Sequence, residues 1–151
     1  MNIIEDLTPV NHQKSRYGVA VDTIVFHSMD GFYNGTISWF KNPDAQVSAH
    51  YLVSKSGEVR RMVKEEHRAW HAGDWNSRSI GIELEDERQR ENWKYPQAQI
   101  EATKSLVRDI ESRYGKLNYK LHKDIASNRS DPVGNFSLSW FTNSSPPMNE
   151  L

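Results

Sequence analysis

The 151-residue sequence contains no cysteine. That excludes disulfides and every thiolate metal site, so a metal would have to be held by His, Asp or Glu. The absence fits folding in a reducing compartment. Long apolar runs are missing as well, and nothing approaches the roughly 18 continuous apolar residues of a membrane helix. Residues 1–10, with Glu5, Asp6 and Pro9, lack the basic flank and apolar core of a signal peptide. The expectation is a protein made in the cytoplasm without a signal peptide and without membrane insertion. A charge excess is absent too. Lys and Arg number 19 against 20 Asp and Glu, for a net charge of −1, so no basic field is present to attract nucleic acid.

What remains is an ordinary globular composition, 36% hydrophobic and 26% charged, in a chain long enough to bury one core. A single domain over residues 1–142 is expected to end in a frayed tail at 143–151, marked by Pro146-Pro147. No internal repeat or linker suggests a second module, and the expected state is a monomer.

Residues 19–27 read as a strand. Its Ile24-Val25-Phe26 run suits a strand covered on both faces, and it leads into His27 and an Asp30-Gly31 turn. A histidine at that place is either a site residue or a hydrogen-bonded strand end. Residues 36–41 suggest a short helix packing Ile37, Trp39 and Phe40, closed by Asn42-Pro43. Residues 47–53 and 59–64 read as strands joined by a hairpin at 54–58. Residues 65–78 are irregular and carry Trp70, His71, Trp75 and Asn76. His67 and His71 are four apart, but Arg68 replaces the glutamate of a helical zinc pair, and Gly73 argues for a loop. Such a loop suits contact with a sugar or peptide, because Trp offers a flat apolar face and one donor. Covering a core edge is the plainer use of the same residues.

Residues 79–85 form the most informative strand. Ile80, Ile82 and Leu84 point to one face, and Gly81, Glu83 and Glu85 to the other. If the apolar face meets a helix, Glu83 projects from the opposite face, where a buried carboxylate must be hydrogen-bonded or useful. Pro96 opens that helix, its apolar stripe includes Ile100, Thr103, Val107 and Ile110, and Gly115 ends it. Residues 122–132 then place His122, Arg129 and Asp131 in one short loop. A histidine and a carboxylate held by one turn make two parts of a zinc site that needs a third ligand from elsewhere and an open position for water. Residues 136–141 suggest a last helical turn.

Taken in order, the strand ending in His27, Val-Ser-Ala-His at 47–50, Trp-His-Ala-Gly at 70–73, Ser-Ile-Gly-Ile-Glu-Leu-Glu at 79–85 and the run 122–132 closely resemble the type 2 N-acetylmuramoyl-L-alanine amidases. That superfamily includes phage endolysins, a cytosolic enzyme that recycles wall fragments, and peptidoglycan recognition proteins. The resemblance spans about residues 24–136. It implies an α/β fold with a mixed central β-sheet flanked by helices, and a Zn2+ held by His27, His122 and Asp131. It further implies Glu83 as the acid/base and Arg129 at the place of the usual catalytic lysine. Ala49 stands where some phage members carry a catalytic tyrosine, so the role falls to Glu83. Trp70, His71, Trp75, Asn76 and His50 are the expected substrate contacts. The implied reaction is hydrolysis of the bond between N-acetylmuramic acid and L-alanine in peptidoglycan or a muropeptide. An endolysin, acting on the wall after release, is the first expectation. A recycling amidase and a non-catalytic binding module are the alternatives.

Overall fold

The computed structural model describes residues 1–87 and 91–142; the expected tail at 143–151 lies outside the described residues. In chain order the elements are β1 (Ile3–Glu5), β2 (His12–Gln13), β3 (Thr23–Ser28), α1 (Tyr33–Phe40), β4 (Tyr51–Val53) and β5 (Val59–Arg61). There follow β6 (Arg68–Ala69), a 3-10 turn (Gly73–Arg78), β7 (Ser79–Leu84), α2 (Gln97–Tyr114), β8 (Asn118–Leu121), α3 (His122–Ile125) and α4 (Ser139–Thr142). Six strands make one mixed sheet in the order β1-β5-β4-β7-β3-β8, and β2 pairs with β6 apart from it. The pairs β4–β7, β7–β3 and β3–β8 are parallel, whereas β4–β5 is antiparallel.

Alternation in the two central strands assigns the faces. Ile24 and Phe26 of β3 and Ile80, Ile82 and Leu84 of β7 join one core with Leu106, Val107 and Ile110 of α2. Each of those strand side chains is fully buried and stabilises the fold by roughly 1.5–3 kcal/mol. The expected stripe of the long helix therefore meets the expected face of the strand. On the other face Tyr33 and Phe40 of α1 pack with Ala49, Leu52 and Met62. That cover lies over the β4 side and leaves the ends of β3 and β7 open to a groove.

Several expected boundaries move: the short helix starts at Tyr33 and the last one at Ser139, and strands shift as well. The first strand begins at Thr23, with Asp22 at the edge of the ladder, its N–H donating to the Arg78 carbonyl at 3.0 Å. Residues 47–50 are not a strand, because the Ser48 side chain takes up local backbone groups instead. Its hydroxyl donates to the Asn11 carbonyl at 2.6 Å and accepts from the Trp70 N–H at 3.1 Å. The return strand stops at Arg61, since the Met62 and Val63 N–H groups both reach the His50 carbonyl, at 2.8 and 3.4 Å. Two residues against one make a bulge that ends the ladder.

Candidate active site

β3 and β7 run in register, with His27 opposite Glu83. By period two both side chains leave the α2 face and point toward the groove. β8 lies on the other side of β3, its last pair being Leu121 with Phe26, so His122 emerges one step beyond the sheet beside His27. The chain then turns through α3 and returns, with the Lys123 N–H bonded to the Asp131 carbonyl at 2.8 Å. Beyond Asp131, the Val133 N–H donates to the Ser28 hydroxyl at 3.2 Å and ties this loop to the end of β3. The run expected to be all loop therefore begins with one helical turn.

His27 Nδ1 lies 3.0 Å from His122 Nδ1 and 3.4 Å from Asp131 Oδ2, and His122 Nδ1 lies 3.0 Å from Asp131 Oδ1. Two imidazole nitrogens and a carboxylate oxygen sharing one centre at about 2.0–2.1 Å in tetrahedral geometry stand about 3.4 Å apart. The observed spacings match that set closely, and among the described residues this is the one metal-competent cluster. The donor types fit Zn2+. Burial pushes His27 below its ordinary pKa against the pull of Asp131, so the ring is neutral, the form that ligates. Burial raises Asp131, but its contacts with the His122 and His27 rings outweigh it and hold the carboxyl below its usual range.

Glu83 Oε2 stands 3.8 Å from His27 Nδ1. Burial, then the charges of Asp131 and Asp86, push its carboxyl well above the usual range, and Arg129 opposes them. A carboxyl raised toward neutrality is suited to taking and returning a proton. Two cavities of about 280 and 490 Å³ meet at this point and share Val47, Trp70, His71, His122 and Arg129. The first runs along α1 past Thr36 and Trp39, and the second along the turn past Trp75 and Asn128. Arg129 is exposed and lines both.

The expected substrate contacts divide. Trp70 lines both lobes with its ring nitrogen donating to Gln13 Oε1 at 2.8 Å. Trp75 lines the second lobe beneath the Arg78 guanidinium, 4.5 Å above its ring. Asn76 is buried, and its side-chain Oδ1 accepts from the His71 and Ala72 N–H groups at 3.0 and 2.7 Å, so it shapes the loop. His71 borders both lobes, but its nitrogens face inward, Nδ1 to His27 Nε2 at 2.9 Å and Nε2 to the Ser79 hydroxyl at 3.2 Å.

His50 is a correction. It is 0% exposed and borders neither lobe. Its Nδ1 accepts from the Gly81 N–H at 3.1 Å, and its Nε2 lies 2.8 Å from the His67 carbonyl. The buried Arg16 guanidinium lies 3.1 Å from that Nε2 and donates to the carbonyls of Glu65, Ser77 and Ser79. Burial and the Arg16 charge push His50 down to about 3. It braces the sheet, away from the lining of both lobes.

Trp39, expected to pack, is 51% exposed on the first lobe. The signal was in the sequence: Tyr33, Ile37 and Phe40 form the stripe that meets the core, and Trp39 falls off it. Support for the Asp131 loop was also missed. The Tyr95 hydroxyl donates to the Val133 carbonyl at 2.9 Å, and the Trp93 carbonyl accepts from the Asn135 N–H at 2.9 Å. Gly134, at φ +73°, leaves the room that Trp93 carbonyl needs, since a Cβ there would lie 2.1 Å from it.

With that geometry in view, comparison with known proteins is informative. A family model described as N-acetylmuramoyl-L-alanine amidase matches residues 17–134. The chain is 44% identical over 105 residues to N-acetylmuramoyl-L-alanine amidase A of Achromobacter lyticus, covering 67% of this chain and 59% of that protein's length. It is 34% identical over 134 residues to the 1,6-anhydro-N-acetylmuramyl-L-alanine amidase AmpD of Enterobacter cloacae, covering 75% of this chain and 68% of that one. Among solved structures, a selenomethionine derivative of AmpD superposes with a TM-score of 0.78 at 25% identity, over 93% of this chain and 92% of that one. By fold, matched segment and identity, the chain belongs to the N-acetylmuramoyl-L-alanine amidase family.

Proposed function

We propose that the protein is a zinc amidase that hydrolyses the amide bond between N-acetylmuramic acid and L-alanine of peptidoglycan. The observation that carries this reading is the convergence of His27 Nδ1, His122 Nδ1 and Asp131 at 3.0–3.4 Å with the Glu83 carboxyl beside them. Zn2+ bound to these three residues supplies Lewis acidity and brings the pKa of water from 15.7 toward ~7. Glu83 takes a proton from the attacking water as its oxygen bonds to the carbonyl carbon. It returns that proton to the L-alanine nitrogen as the C–N bond breaks. Arg129, at the junction of the lobes, faces the carbonyl oxygen as it becomes anionic, a contribution of about 3 kcal/mol for one good donor. All of these groups come from one chain, which favours a monomer as the working unit.

The two lobes give the sugar and the peptide separate walls on either side of the scissile bond. A groove continuing past the bond on both sides suits the wall polymer, and on that ground we propose endolysin-like action. The similarity to AmpD favours a second reading, a cytosolic amidase acting on soluble anhydro-muropeptides. The purified protein is expected to release new L-alanine amino termini from peptidoglycan, read by mass spectrometry. A chelator should abolish the activity and zinc restore it. New glycan reducing ends, or chelator-resistant turnover, would overturn the amidase reading. The ratio of kcat/KM on sacculi to that on a soluble anhydro-muropeptide decides between the two substrates.

A further inference from the structure

Three groups behind the metal triad form a chain of hydrogen bonds with only one consistent direction. Ser79 Oγ lies 2.6 Å from the Trp75 carbonyl and 3.2 Å from His71 Nε2. A hydroxyl has one hydrogen, and a carbonyl can only accept, so the Ser79 proton belongs to Trp75. Ser79 Oγ must then accept from His71, which places the ring proton of His71 on Nε2 and a lone pair on its Nδ1. That lone pair lies 2.9 Å from His27 Nε2, which must donate. His27 is thereby left with its lone pair on Nδ1, the atom that faces His122 and Asp131. The reverse direction would protonate Nδ1 and close the site to a metal.

A second observation comes from the backbone. A Cβ on Gly81 would fall 2.7 Å from Cγ and Nδ1 of the His71 ring. The ring lies flat against β7 in space that only glycine leaves free. Ser79, Gly81 and Glu83 alternate along one face of that strand. The first sets the proton, the second makes the room, and the third stands at the metal triad.

We infer that His71 is a positioning residue: accepting from His27 Nε2–H, it fixes the tautomer and ring orientation in which His27 Nδ1 binds Zn2+. This rests on the metal site of the proposed function. Outer partners of ligating histidines commonly set metal affinity by about 10- to 100-fold, and a loss in that range is expected for His71→Ala. His71→Asn keeps an acceptor near the place of Nδ1 and should recover most of the affinity. Ser79→Ala frees His71 to change tautomer and should weaken Zn2+ binding several-fold.

The test is chelator-competition measurement of the Zn2+ dissociation constant on the purified full chain and these variants, with urea unfolding of the metal-free forms. Long-range 1H–15N NMR of the metal-free wild type provides a readout that needs no variant, and should place the protons of both His27 and His71 on Nε2. A His27 proton on Nδ1 overturns the inference. So does a folded His71→Ala with wild-type affinity. An Asn variant no better than Ala would mean that ring bulk, not the acceptor, holds His27, and it too overturns the inference. A wild type that binds no Zn2+ removes the proposed function along with it, whereas tight wild-type binding with an indifferent His71→Ala removes only this step.

Discussion

The six histidines form two groups of three, separated by the thickness of one strand. His27, His71 and His122 line the groove, whereas His12, His50 and His67 lie together behind it. His50 and His71 are only 6.0 Å apart between ring centres, yet they meet different parts of the Gly81 backbone. Gly81 donates its N–H to one and offers its bare Cα to the other. In the rear group the rings meet backbone groups and the Arg16 guanidinium, as at His50, or another ring, as in the His12–His67 stack at 5.3 Å. In the front group nitrogens face one another and a carboxylate. What distinguishes the two ligand histidines here is an Nδ1 turned toward the other ring and toward Asp131, not burial, since His50 is as buried as they are.

Substitution of a front ligand should have the largest consequence. His122→Ala is expected to lose stoichiometric zinc by elemental analysis and to cut amidase turnover by roughly three orders of magnitude or more. Its sheet should remain intact, since His122 follows the last strand. Glu83→Gln should keep zinc and KM while kcat falls by about 10²–10⁴, measured by steady-state release of amino termini. Loss of zinc instead would place Glu83 among the ligands.

The rear group should fail in a different currency. His50→Ala leaves the Gly81 N–H and the His67 carbonyl unpaired in a dry interior. A loss of about 3 kcal/mol in urea unfolding is expected, with zinc affinity in the folded fraction within a few-fold of wild type. Loss of zinc with unchanged stability would erase the distinction between the groups.

The smallest effect is one of pH. His50 has a folded pKa of about 3 against an ordinary 6.5. Between those values the unfolded chain binds the proton and the folded one does not. Its contribution is therefore complete above pH 6.5 and is lost as pH falls toward 3, at up to about 1.4 kcal/mol per pH unit. Urea midpoints of the metal-free protein should fall from pH 7 to pH 5, and His50→Gln should flatten that slope.

Much of this was legible in the residues. Ile80, Ile82 and Leu84 declared one face of β7, and Glu83 followed onto the other. The stripe of α2 matched a core that could only be a sheet. His50 was misread because its burial depends on Arg16, 34 positions earlier, and no local period encodes that contact. The inward turn of His71 depends on Asn76, Ser79 and Gly81 acting together. Each is an unremarkable small or polar residue in isolation, and only the fold makes them one device. The bulge at Met62 escaped for a similar reason, since it is a matter of which carbonyl two N–H groups share.

The pairing of His27 with Glu83 across parallel strands has a consequence for how the protein is made. His27 and His122 are 95 residues apart, and Asp131 comes later still. A nascent chain can form the β4–β5 hairpin early, but its hydrolytic centre cannot exist until β8 has docked beside β3 and the loop through Asp131 has left the ribosome. A one-residue slip of β7 against β3 would turn Glu83 into the core, so a misregistered chain has no Glu83 carboxyl beside the triad. With the proposed zinc site, a metal-sensitive signal on stalled chains of increasing length should appear only after residue 131 has emerged.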